Sequence, residues 1–127
     1  DGGLLFDGDD TFLAASGSLS LGTEFLVTGV MNLNTTGDSN ASIITNSADG
    51  SGDRLFVGDN EILRIRDNGS NIDSSLVLSE TADNLFTYQA SASSFTFVKN
   101  GTTDVKSALT GGQSYRYLGG GSGFKPI

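Results

Sequence analysis

Residues Phe95-Thr-Phe-Val-Lys-Asn-Gly-Thr102 carry an alternating β-rich run straight into an Asn-Gly pair. Asn and Gly both accept positive φ, which a two-residue type I′ turn demands, and that turn has the twist that antiparallel strands need. The stretch therefore closes a hairpin. The same order of β-rich segment followed by Gly, Asn or Asp recurs along the chain, and no helical periodicity competes with it, so the expected fold is all-β.

Read in order, Gly3 to Asp7 forms a short strand that breaks at Asp7-Gly8-Asp9-Asp10, and Thr11 to Ala15 resumes extended structure. Ser18 to Gly22 reads as an approach loop before a long strand, Glu24 to Leu33, in which Gly29 marks a bulge or a close backbone approach. Strands follow at 41–45, 54–57 and 61–66, with Leu63 and Ile65 on the drier face of the last. Asn68-Gly69 turns the chain again, and further strands are expected at 75–79, 85–89, 95–99, 104–109 and 114–118, ahead of Gly119-Gly120-Gly121. Roughly ten short strands at a spacing of about 8 to 12 residues are what an antiparallel two-sheet sandwich requires. Its core is expected to hold Leu5, Phe6, Phe25, Val27, Ile44, Phe56, Leu63, Ile65, Phe86, Tyr88, Phe97 and Leu118. No fixed period suggests a propeller or solenoid, and the single proline, Pro126, lies outside every expected strand.

A chain of 127 residues fits one domain spanning residues 1–127, large enough to bury a core without staples. It has no cysteine, so it holds neither a disulfide framework nor a thiolate metal site, a composition that fits a prokaryotic or viral protein. The net charge of −8 and the scattered Lys and Arg residues argue against nucleic acid as a partner. No apolar run approaches the ~20 residues that span a bilayer, so membrane insertion is not expected.

Several stretches together resemble the concanavalin A-like lectin and laminin G-like superfamily. They are Leu5-Phe6-Asp7-Gly8 with Asp9-Asp10, Leu19-Ser-Leu-Gly-Thr-Glu-Phe25 leading into the long strand, Ala41-Ser-Ile-Ile44, Leu85-Phe-Thr-Tyr88, Phe97-Val-Lys-Asn-Gly101 and Tyr117-Leu-Gly-Gly120. The chain departs from the family pattern at Val30-Met31, where relatives often carry Trp, and at Asn84, where they often carry His. The resemblance implies a jelly-roll sandwich and lectin-like carbohydrate binding. It also implies a final strand, beyond Ile127, pairing beside the first. Without it the edge at Leu4 to Phe6 is expected to be covered by a second polypeptide, most simply in a homo-oligomer. The Ser/Thr/Asn/Gly-rich style is similar to bacteriophage tail-fibre and capsid decoration domains, which implies a location on a virion surface or otherwise extracellular.

For chemistry, no pair of carboxylates has the spacing of a retaining glucanase: Glu24, Glu61 and Glu80 stand alone, and the chain has no His. The expectation is a non-enzymatic adhesion domain that recognises glycans or, alternatively, a structural virion component without a small ligand. Calcium is the one cofactor the acidic loops suggest, through Asp7, Asp9 and Asp10 at the first turn and Asp49 with Asp53 across Gly50-Ser-Gly52. The competing reading of the same residues is turn chemistry, since Asp bonds its own backbone. Tyr115 and Tyr117 share one strand face, with Arg116 opposite and a glycine-rich loop beside them, and are the candidate glycan platform. The competing reading is that this face of the strand packs inward. Asn34, Asn40, Asn68 and Asn100 begin Asn-x-Ser/Thr sequons and are read as loop residues.

Overall fold

The computed structural model describes residues 13–33, 41–46 and 52–119. Among them lie ten strands: β1 (Leu13–Gly22), β2 (Phe25–Met31), β3 (Ala41–Thr45), β4 (Arg54–Val57), β5 (Ile62–Asp67), β6 (Ser70–Val77), β7 (Asn84–Ala90), β8 (Ser94–Lys99), β9 (Thr102–Ser107) and β10 (Gln113–Leu118). A single 3-10 turn, Asp59–Glu61, is the only helical element among these residues. The strands form two antiparallel sheets, β1-β10-β3-β4-β5-β6 and β2-β7-β8-β9. The expected all-β sandwich is what the chain forms.

The turn chemistry decides the hairpins. Asn68 and Gly69 take φ of 48° and 81°, and Asn100 and Gly101 take 48° and 84°, so each pair makes the two-residue turn its sequence demands. Asn100 does more than turn the chain: its N–H donates to Leu85 O and its Oδ1 accepts the Leu85 N–H, each at 2.8 Å. The tip of the β8–β9 hairpin thereby fixes the start of β7.

Side chains alternate along the strands, and the inward set from both sheets closes one core. Leu55, Val57, Leu63 and Ile65 come from the larger sheet, and Phe86, Tyr88, Phe95 and Phe97 from the smaller. The rings of Phe95 and Phe97 meet nearly perpendicular at 4.9 Å, and Tyr88 meets Phe97 at 5.5 Å, the edge-to-face geometry that aromatic quadrupoles favour. Burial pushes the Tyr88 phenol well above its ordinary pKa. It stays a donor and bonds Phe56 O at 3.2 Å, across to the other sheet.

Gly29 sits directly opposite Phe86 in an unbroken β2–β7 register. A Cβ there would lie 3.0 Å from the Phe86 ring, so the glycine marks a close approach and not a bulge. Other expectations need correction. Ser18 to Gly22 belongs to β1, because Leu19 and Ser20 pair with Tyr115 and Ser114 of β10. β6 begins at Ser70, not Ser75, and β9 spans Thr102–Ser107 in place of 104–109. Leu118 is 37% exposed, so it is not core. The expected strand at 3–7 with its edge at Leu4 to Phe6, and the core places of Leu5 and Phe6, lie outside the described residues.

One flank between the sheets is closed by a carboxylate. Asp104 of β9 accepts the Ser75 N–H of β6 at 2.7 Å and lies 3.2 Å from Lys106 Nζ. Burial alone would raise its pKa, but the Ser75 N–H and the Lys106 ammonium outweigh that and hold it below the usual aspartate value. A depressed folded pKa gives stability that is complete above the unfolded value and lost as pH falls through the folded one. Unfolding midpoints in urea should therefore drop between pH 6 and about 3 more steeply in the wild type than in Asp104→Asn. Parallel pH profiles would show that the carboxylate does not support this flank.

Candidate functional site

The two outer faces of the sandwich differ in chemistry. On the six-stranded sheet, registered neighbours form the rows Ser42–Phe56–Arg64–Asp73 and Thr45–Arg54–Arg66–Asn71. Three of the chain's seven basic residues stand together here. The Arg54 guanidinium lies 3.7 Å over the Phe56 ring and that of Arg64 5.6 Å from it, a stacking that favours Arg over Lys. Arg64 pairs with Asp73 through both Nε to Oδ1 and Nη2 to Oδ2, the latter at 3.0 Å. A Cβ at Gly58 would fall 2.5 Å from Arg64 Cζ, so the glycine makes room for the guanidinium. Burial, with repulsion from Arg66 and Arg64, lowers the Arg54 pKa to about 10, which still leaves it charged at neutral pH. Phe56, Arg54 and Arg64 are all buried. The stacking and the ion pair brace this part of the sheet.

The four-stranded sheet presents the opposite chemistry. Its outward rows are Leu26–Gln89–Thr96–Val105, Thr28–Thr87–Val98–Thr103 and Val30–Leu85. None of these ten residues is charged. Leu26, Val30, Leu85 and Val105 are 59%, 63%, 52% and 61% exposed, half of the markedly exposed large apolar residues among those described. Thr28 and Thr87 touch through their hydroxyls at 3.0 Å, and Thr28 Oγ1 also bonds Phe86 O at 2.9 Å, which fixes the centre of the face. In a chain of net charge −8, this neutral sheet surface is the described patch best suited to contact another apolar or neutral surface.

Expected site residues fall elsewhere. Tyr115 and Tyr117 do lie two apart on β10, but Tyr115 is 2% exposed, packs edge-on to Phe25 at 6.4 Å and donates its hydroxyl to Gln113 Oε1 at 2.7 Å. Burial and the nearby Asp53 carboxylate push its phenol well above its ordinary pKa. The two-ring platform is therefore not presented, because the inward face of β10 is a core face. Tyr117 is half-buried, with the exposed Arg116 guanidinium 5.4 Å from its ring, while Arg116 Nε donates to Ala15 O at 3.1 Å. Asp53 accepts the Ser114 N–H at 3.0 Å, so its carboxylate joins the 52–53 segment to β10. Asp7, Asp9, Asp10 and Asp49 lie outside the described residues. No group of three or more potential metal ligands occurs among the described residues.

An open groove of about 490 Å³ lies between the β5–β6 turn and the connection after β9. Its acid, Asp67, is engaged by the chain itself: Oδ2 accepts Thr110 N–H at 2.7 Å and Thr110 Oγ1–H at 3.0 Å, and Oδ1 accepts Gly111 N–H at 3.0 Å. That carboxylate holds the loop that follows β9.

Sequence reasoning missed the neutral sheet face. Its signal was present as alternation in Leu26-Val-Thr-Gly-Val30, Leu85-Phe-Thr-Tyr-Gln89 and Thr103-Asp-Val105. Only the register across four strands shows that the outward members form one surface. Comparison with protein-family models, curated proteins and solved structures finds no match.

Proposed function

We propose that this domain is a non-enzymatic surface or adhesion module that docks through the outer face of its four-stranded sheet. The observation that carries the reading is that face: ten registered positions without a charge, with four large aliphatic side chains more than half exposed. Such a surface suits shape-matched contact with another protein surface. It lacks the aromatic ring that stacks on a sugar, and the acidic groups Asp53, Asp67, Asp73 and Asp104 are engaged in hydrogen bonds within the fold. Docking is therefore favoured over glycan recognition.

The test pairs two measurements on the intact chain. The double variant Val30→Lys with Leu85→Lys should lose retention on a hydrophobic-interaction matrix while its stability changes by less than about 1 kcal/mol, as exposed positions allow. A glycan array, run with and without millimolar calcium, should show no saturable binding. Saturable binding that Tyr117→Ala removes would replace docking with sugar recognition.

A further inference from the structure

We propose that the surface docked on this face is the same face of a second copy, giving a two-fold symmetric dimer in which the two four-stranded sheets stack. The inference rests on the docking reading above and adds the partner. Charge supplies the first argument. Two chains of −8 repel over most approaches, and the ten uncharged positions of this face, with Asp83 only at its margin beside Asn32, are where they meet at least electrostatic cost.

Pattern supplies the second argument. An isologous contact needs one patch that complements itself. Here Thr28, Thr87, Val98 and Thr103 form a central row of small β-branched side chains, flanked by the exposed Leu26, Val30, Leu85 and Val105. A two-fold axis lying along this row, near Thr87, would set the row against its own copy. Sheets stacked in this way lie ~10 Å apart, the spacing at which side chains from two sheets interdigitate.

Size supplies the third and sets the strength. Four strands ~4.8 Å apart and about seven residues long at ~3.4 Å each give a patch of about 19 by 24 Å. Counted over both copies this is about 900 Å², below the ~1,200 Å² from which stable specific interfaces begin and within the range of weak, transient ones. The dimer is accordingly weak and dissociates on dilution.

Sedimentation of the full chain should show a weight-average mass that climbs from 13.1 kDa toward twice that value as concentration rises. Raising NaCl from about 0.02 to 0.5 M should tighten the dimer by about tenfold, because screening removes repulsion between like-charged copies. Thr87→Asp and Thr87→Lys should each be monomeric with circular dichroism like the wild type, and an equimolar mixture of the two should associate again. A chain that stays monomeric to millimolar concentration, or a dimer that both variants leave intact, overturns the proposal. Replacing Thr87 with a photoreactive p-benzoylphenylalanine in the producing cells separates this from the reading beneath it. Adducts of two identical chains support the dimer. Adducts only with a different polypeptide leave docking standing and overturn self-association. No adduct overturns both.

Discussion

Phe97→Ala should lower stability by about 3 to 5 kcal/mol, with a fall in Tm of about 10 to 25 °C. Phe97 is fully buried, its ring lies edge-on to Phe95 at 4.9 Å, and it meets Tyr88 at 5.5 Å. Removing it opens a cavity between two sheets whose backbones are fixed by hydrogen-bonded ladders, so neighbours cannot collapse fully into the space. Urea unfolding is the direct measure: the midpoint should drop while the m-value stays near that of the wild type. Thr96→Ala, one residue away on the outward face, should change stability by less than about 1 kcal/mol. A loss below about 1 kcal/mol for Phe97→Ala would mean that this ring is not part of the close-packed core.

The second large effect is expected at Asn84, where the chain crosses from β6 of one sheet to β7 of the other. Its side chain is fully buried and saturated: Oδ1 accepts the Ser79 N–H at 2.7 Å, and Nδ2 donates to Ser79 O at 2.9 Å, Ala82 O at 3.3 Å and Met31 O at 3.4 Å. One amide thus organises the crossover and ties it to the end of β2. Asn84→Ala leaves buried peptide groups without partners and should cost about 2 to 4 kcal/mol. Asn84→Asp is the sharper test, since a carboxylate oxygen would then face carbonyl oxygens. Its ionised form is disfavoured in the folded state, so the pKa of the introduced carboxyl is raised. By linkage the variant should regain stability relative to the wild type as pH falls through that raised value, where a protonated carboxyl can donate again. If Asn84→Asp proved as stable as the wild type at neutral pH, the donors of this amide would be dispensable.

Much of the fold was readable because its signals are local. Asn68-Gly69 and Asn100-Gly101 fix their turns through backbone conformations that few other residues accept. Short apolar runs such as Arg54-Leu-Phe-Val57 mark strands without reference to any partner. The failures have a common physical origin in pairing at a distance. Ser18-Leu-Ser-Leu-Gly22 has the composition of a loop and becomes strand through its ladder with β10, more than ninety residues later. At Tyr115, period two tells which residues share a face but not which face is inward, and that is settled by Phe25 and Gln113. Leu118 is apolar but lies at the end of its strand, where burial falls away. The neutral sheet face depends on the alignment of four strands, which no window along the chain contains.

The position of β10 has a consequence for how the protein is made. Of the described strands it is the last to leave the ribosome, yet it lies between β1 and β3, inside the larger sheet. Until residues 113–118 emerge, β1 has no ladder partner among the described strands, and Leu13 and Leu19 wait for Leu118 and Tyr115. The β3 to β6 hairpins and the β7 to β9 meander join neighbours in sequence and can form as they appear. Insertion of β10 closes a loop that spans most of the chain, a contact pattern that places folding in the millisecond-to-second class. During that interval an incomplete chain presents an open sheet edge, where the strand of a neighbouring nascent chain can compete with its own.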